Sequence, residues 1–263
     1  MKKLFFKANS GKPGAEDRRV SLEAVAQRLG FGVVTDGREA DMVIVLGGDG
    51  TILRAVHEFG AVPVLGFNIG GLGYLSSVGG DEAEAALKML AEGRYSISER
   101  TLLEARGGFV ALNDIVVTRE TGGHSTLLDL EADGKPVTSY MADGLIFSTP
   151  TGSTAYSLAA GGPVLLPASR CFVVTPANPH ALGVRPLVIS DGVRFKVTAR
   201  RRASGDDTKV GVYADGEHVM SLDDGESVEI SKSVRTAHLV ELEGYDPCEV
   251  MVRKLGWRGN SLK

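Results

Sequence analysis

The sequence predicts two domains, an N-terminal open α/β sheet domain followed by a C-terminal all-β domain that is β-sandwich-like. Three observations predict it. Up to about Arg94, apolar runs alternate with segments of helical period. Within that part, Met42-Val43-Ile44-Val45-Leu46 is continuously apolar, as a strand covered on both faces must be. Beyond Arg94 the chain changes to short alternating runs separated by Gly, Asp and Asn, the texture of packed antiparallel sheets.

The elements follow in order. Lys3 to Phe6 suits a short strand, and Leu22, Val25, Ala26 and Leu29 keep the i, i+3, i+4, i+7 spacing of a helix that Gly30 can end. Val33-Val34 and the 42–46 run are strands. Ile52, Leu53, Val56 and Phe59 mark a second helix, Val62 to Phe67 a strand, and Ala83, Ala86, Leu87 and Leu90 a third helix. This alternation calls for a mainly parallel sheet covered by helices. In the second part, Leu127 to Ala132, Asp133-Gly134 and Pro136 to Tyr140 form a hairpin signal. Val193, Phe195 and Val197 alternate, as do Val228 and Ile230, and Asp191-Gly192, Asp215-Gly216 and Asp224-Gly225 are turns. Ser153 to Ala160 is the one helical interruption. A cleft where the two domains meet is the expected place for a ligand.

Composition narrows the function. With 29 Lys plus Arg against 33 Asp plus Glu, the net charge is −4, which argues against a dedicated nucleic-acid binder. No apolar run approaches the ~18 residues of a membrane span, so no membrane partner is expected. Met1-Lys2-Lys3-Leu4-Phe5-Phe6 resembles a signal sequence only as far as Lys7, and Cys171 and Cys248 make no spaced motif. A cytoplasmic chain with reduced thiols is expected.

Glycine is the outlier. There are 34, and ten fall between Gly47 and Gly80, where an even spread would give about four. Leu46-Gly47-Gly48-Asp49-Gly50-Thr51 links a buried strand to an amphipathic helix, the arrangement that aims free backbone N–H groups at phosphate. It is neither a Walker loop nor a G-x-G-x-x-G fingerprint. Ser148-Thr149-Pro150-Thr151-Gly152-Ser153-Thr154-Ala155-Tyr156-Ser157 runs from an apolar strand into a short helix. One hydroxyl suffices for a cap. Ser148, Thr149, Thr151, Ser153 and Thr154 supply five, and with a tyrosine they suit a nucleoside. Asn113-Asp114 sits within apolar sequence and by itself is more commonly a turn. His57, His124, His180, His218 and His238 have no metal-ligand spacing, and neither G-x-S-x-G nor H-E-x-x-H is present.

Taken together in order and spacing, three of these elements resemble NAD kinases: Gly47-Gly48-Asp49-Gly50-Thr51, Asn113-Asp114 and Thr149 to Ser157. Leu65-Gly66-Phe67-Asn68, Gly71-Leu72-Gly73-Tyr74-Leu75 and the tail Lys254-Leu255-Gly256-Trp257 extend the resemblance from about residue 41 to the end of the chain. The Gly-Gly-Asp-Gly-Thr element is shared with phosphofructokinases and diacylglycerol kinases, whereas the Thr-Pro-Thr-Gly-Ser-Thr-Ala-Tyr element is highly specific. The Ala8-Asn9-Ser10-Gly11-Lys12 loop matches the family loosely, and Glu217 stands where many relatives carry Gln.

The resemblance implies a phosphofructokinase-like α/β domain over residues 1–98, completed by the tail 243–263, and an all-β NAD-binding domain over 99–242. It implies transfer of the terminal phosphoryl group of ATP, or of another donor, to the 2′-hydroxyl of the adenosine ribose of NAD. Mg²⁺ or another divalent cation would travel on the donor phosphates, and the chain would form a homodimer or homotetramer. Asp49 would be the catalytic base. NAD would be bound by Asp49, Gly50, Asn68, Tyr74, Asn113, Asp114, Asp143, Thr151, Thr154, Ala155, Tyr156, Ala159 and Glu217, with Asp143 facing the nicotinamide half. Gly47, Gly48, Gly50, Thr51 and Arg54 would hold the donor phosphates. Two other readings stay open here: a lipid or sugar kinase of the same broad class, and a non-catalytic NAD(P) sensor.

Overall fold

In the computed structural model the chain divides into two compact units, Met1–Glu99 with Ala237–Lys263, and Arg100–Thr236. The structure describes residues 1–68, 73–76, 78–79, 82–120, 125–200 and 209–257. Gly71, Leu72, Gly80 and His124 lie outside the described residues.

The first unit runs β1 (Lys3–Ala8), α1 (Ala15–Arg28), β2 (Gly32–Val33), β3 (Met42–Leu46), α2 (Asp49–Phe59), β4 (Val64–Asn68), β5 (Val78–Gly79) and α3 (Ala83–Ala91). The strands pair in parallel in the order β2-β1-β3-β4-β5. Every residue of β3 and β4 is buried, so both faces of the sheet centre are covered. Leu22, Val25 and Ala26 of α1 and Ala83, Ala86, Leu87 and Leu90 of α3 share a core with Phe6, Ile44, Leu65 and Phe67. Helix α2 seats Ile52 against β4, and Gly66 makes room for it. A methyl group at Gly66 would come within 2.3 Å of Ile52 Cδ1. Full burial of Ile52 stabilises this seating by about 1.5–3 kcal/mol. That fixes the direction in which the first turn of α2 points.

The second unit is built from β6 (Tyr95–Ala105), whose first residues belong to the first unit, β7 (Phe109–Ala111), β8 (Asp114–Arg119), β9 (Thr126–Ala132), β10 (Lys135–Ala142), β11 (Gly144–Ser148), α4 (Tyr156–Ala159), β12 (Cys171–Ala177), β13 (Leu187–Ser190), β14 (Phe195–Arg200), β15 (Val210–Ala214), β16 (Glu217–Leu222) and the start of β17 (Ser227–Leu242). One antiparallel sheet has the order β13-β12-β11-β8-β15-β16. A second contains β10-β9-β14-β17. Their inner faces share one apolar core. Phe147 of the first sheet meets Phe195 of the second with ring centroids 5.1 Å apart. The β9–β10 hairpin turns at Asp133 and Gly134, both at positive φ, as a two-residue hairpin loop requires.

Residues 237–242, assigned from sequence to the second domain, fall in the first unit. There Leu239 lies beside Val64 of β4 and Val240 joins the α/β core. Helix α5 (Pro247–Leu255) follows, capped by the Asp246 carboxylate on the Cys248 amide at 2.8 Å. It has no fully buried residue, and Val250, Met251 and Leu255 make its half-buried face. Among the described residues, no helix is long and apolar enough to cross a membrane.

Candidate active site

In the first unit, β3 ends at Leu46 and the chain turns through Gly47 and Gly48 into α2. Gly47 lies against Thr51, whose Oγ1 would be 2.6 Å from a methyl group placed there. Gly48 is the N-cap and brings no side chain to the helix end. The first N–H groups of a helix have no partner within the helix, so those at Asp49 and Gly50 stay available to an anion. Asp49 is half-buried. Its carboxylate accepts the Tyr74 amide at 2.8 Å on one oxygen and the Leu75 amide at 3.1 Å on the other. Gly73 is required beside it, because a methyl group there would sit 2.0 Å from Asp49 Oδ1. Ser76 Oγ accepts from the Gly73 amide at 3.0 Å and from the buried Asn68 side-chain amide at 3.2 Å. Burial, and then the Asp49 charge, pushes the Tyr74 phenol above its ordinary range.

In the second unit a constellation gathers around Asp215, in the β15–β16 turn at φ 48. Its carboxylate accepts the amides of Leu112 at 2.7 Å, Asn113 at 2.8 Å and Asp114 at 3.1 Å. The Thr149 to Ser157 segment is stitched to the same strand start. The Thr149 amide donates to Asn113 O at 2.9 Å, Thr149 Oγ1 donates to Leu112 O at 2.5 Å, and Thr149 Oγ1 accepts the Gly152 amide at 3.0 Å. Gly152 presses on the Asn113 carbonyl so closely that a methyl group would be 2.0 Å from its oxygen. The Asp114 carboxyl, only 6% exposed, is pushed up to about 7 by burial first and by the Asp215 charge second.

The ATP-NAD kinase N-terminal domain family matches residues 10–95 of this chain, and the ATP-NAD kinase C-terminal domain family matches residues 112–242. The NAD kinase of Chlorobium limicola is 40% identical over 256 residues, 92% of this chain and 88% of that protein. The NAD kinase of Syntrophotalea carbinolica is 39% identical over 229 residues, 82% of this chain and 78% of that protein. The chain belongs to the NAD kinase family. Its activity is that of the family, an enzyme that phosphorylates NAD to NADP. Among solved structures, an NAD kinase from Archaeoglobus fulgidus in complex with ATP superposes with a TM-score of 0.82 at 26% identity, covering 98% of this chain and 100% of that one. Yeast NADH kinase complexed with NADH shares the fold, with a TM-score of 0.88 at 24% identity over 100% of this chain and 89% of that one.

Within this NAD kinase, each expected site residue has a definite environment. Asp49, Tyr74 and Asn68 are joined through the 73–76 turn, Gly47 and Thr51 form the loop's inner side, and Gly50 is exposed. Arg54 is exposed five residues beyond Asp49, about 140° around the helix and about 7.5 Å along it. Asn113, Asp114 and Thr151 share the Asp215 constellation or its flank, Thr151 being buried. Thr154 donates to Thr151 O at 3.2 Å, and Ala155 is half-buried. Tyr156 is half exposed, and Ala159 and Glu217 are exposed. Asp143 accepts Asn178 Nδ2 at 2.9 Å and lies 3.3 Å from the Arg119 guanidinium. Three of the five motif hydroxyls differ from the expectation of a nucleoside lining. Ser148, Thr149 and Ser153 are fully buried and bond backbone groups at Thr149, Leu112, Pro150 and Leu165. They build the turn. Asp215 carries no more signal in the sequence than the turn dipeptide Asp-Gly, because its partners lie about a hundred residues away.

The Asp114 environment makes a stability prediction. A carboxyl whose folded pKa lies above its unfolded value of about 3.9 favours the fold fully below that value, and the advantage is lost as pH rises through about 7. Asp114→Asn removes the ionisation and is expected to leave the melting temperature of the ligand-free enzyme nearly unchanged at pH 4. At pH 8 it should raise it by a few °C. A constant difference across this range would show that Asp114 ionises normally.

Proposed function

We propose that this enzyme transfers the terminal phosphoryl group of ATP to the 2′-hydroxyl of the adenosine ribose of NAD, with Asp49 as the group that receives the hydroxyl proton. The observation that carries this reading is the Asp49 carboxylate, held by one backbone amide on each oxygen at the uncapped start of α2. Each oxygen keeps acceptor capacity for a further donor. A ribose hydroxyl is far too weak an acid for a carboxylate to deprotonate it beforehand. Asp49 orients it and takes the proton late, as charge develops on the attacking oxygen. Phosphoryl transfer otherwise depends on positioning and charge neutralisation. Gly47, Gly48, Gly50 and Thr51 cradle the donor phosphates, with Arg54 adding positive potential.

Mg²⁺ is proposed to arrive on the donor. Mg²⁺ commonly keeps phosphate and water ligands. When bound, it offsets phosphate charge. Asn113, Asp114, Thr151, Thr154, Ala155, Tyr156 and Ala159 are proposed to bind the dinucleotide, with Asp143 and Glu217 toward its nicotinamide half. Asn68 and Tyr74 act through the turn that holds Asp49. Family membership also favours a homodimer or homotetramer in the cytoplasm, the first checked by light scattering.

Incubation with NAD, ATP and Mg²⁺ followed by mass detection of NADP tests the reading. NADP formation supports it. Tight NADP binding without turnover would favour a sensor instead. Tyr156 offers an exposed ring on a four-residue helix. Tyr156→Ala is expected to raise KM for NAD about tenfold with little change in kcat, the pattern of lost uniform binding. Loss of folding with an unchanged KM would make the ring structural.

A further inference from the structure

We infer that Lys12 is a further side-chain cation that binds the donor's phosphate chain, beside the Arg54 proposed above. The inference rests on the donor site proposed above and adds one residue to it.

The loop after β1 is tied to the glycine loop. The Asn9 amide donates to Leu46 O at 3.0 Å, and its side-chain Nδ2 donates to Thr51 Oγ1 at 3.2 Å. The same residue shapes its own loop: Asn9 Oδ1 accepts the Gly11 amide at 3.0 Å, and Asn9 O accepts the Lys12 amide at 2.9 Å. Lys12 is therefore the last residue of a turn whose first residue is bonded to the glycine motif. Its ammonium reaches the phosphate-facing end of α2, and a methyl group built at Gly48 would lie 4.0 Å from Lys12 Nζ. Gly48 caps α2 without a side chain, so the Lys12 charge and the first N–H groups of the helix bear on the same space. Arg54 is exposed on the same helix but about 140° around from Asp49. A lysine ammonium is a compact charge with three donors on a flexible stem, suited to a phosphate chain whose oxygens change position during transfer.

The chemistry recognised is a run of phosphates, so inorganic tripolyphosphate should compete with ATP through Lys12. The test compares wild-type enzyme with Lys12→Met and Lys12→Arg, varying ATP at saturating NAD and NAD at saturating ATP. Equilibrium binding of ATP with Mg²⁺ is followed by calorimetry on the same proteins. Lys12→Met should raise KM and Kd for ATP about 10- to 100-fold, the range for losing one charge-assisted hydrogen bond. It should weaken inhibition by tripolyphosphate by the same factor and leave KM for NAD within about twofold. Lys12→Arg should recover most of the ATP affinity. Unchanged ATP affinity in Lys12→Met, or an equal loss toward NAD, overturns the inference while NADP formation by the wild type keeps the functional reading. Wild-type protein that makes no NADP, yet binds ATP in a Lys12-dependent way, sinks the functional reading and keeps this one.

Discussion

Asp49→Asn is expected to lower kcat by a factor on the order of 10²–10⁴ while leaving NAD affinity close to wild type, the range for removing a positioned general base. The geometry makes the substitution sharper than a simple loss of charge. Each carboxylate oxygen accepts one amide, Tyr74 at 2.8 Å and Leu75 at 3.1 Å. An asparagine keeps one acceptor oxygen and presents an NH₂ group to the other amide, so one of the two bonds is lost. That costs about 1 kcal/mol of stability, a few °C at most, and cannot by itself account for a rate loss of several kcal/mol. Rate and melting temperature measured on one preparation therefore separate the two effects. A folded Asp49→Asn enzyme with near-normal turnover would end the base assignment.

What the sequence made legible follows from the range over which each signal acts. The buried strand 42–46, the Asp49–Phe59 helix and the Asp133-Gly134 hairpin depend on neighbours within a few residues, so periodicity and turn chemistry reveal them. Helix α5 sets Val250, Met251 and Leu255 on one half-buried face, but nine residues give the helical period little more than two turns in which to show itself. Strand β17 runs for 16 residues without a turn dipeptide, and its burial alternation breaks at Ser231-Lys232 and again over Val234 and Arg235. That is where the chain leaves one unit for the other, and a boundary at 242 passes it by. The motif hydroxyls show the same limit in the site. Five within seven residues attract a ligand reading, yet Ser148, Thr149 and Ser153 are consumed by backbone groups that only the folded turn brings near. Composition alone does not tell a hydroxyl that binds from one that builds.

Asp215 is the strongest case of a residue the sequence hides, and its removal is expected to have the largest effect on stability. Leu112 and Asn113 lead into β8 and Asp114 begins it, with three consecutive amides on one carboxylate. Leu112 is fully buried and Asp114 is 6% exposed, so water cannot freely replace the acceptor. Leaving a buried amide unpaired costs about 1–3 kcal/mol, and three together reach about 3 kcal/mol or more, a large share of the 5–15 kcal/mol that holds a typical protein folded. Asp215→Ala should therefore lower the melting temperature by roughly 10 °C. It should also raise KM for NAD, because the Asn113-Asp114 backbone is no longer fixed. Asp215→Asn is the discriminating partner. Asparagine tolerates the positive φ at this position and keeps an oxygen for the Asn113 and Asp114 amides, so it should retain much of the stability. It also removes the negative charge that helps push Asp114 up to about 7, so the Asp114 carboxyl should titrate lower than in wild type. An Asp215→Ala protein as stable as wild type, with unchanged KM for NAD, would show that the three amides find other acceptors and that Asp215 does not hold the site.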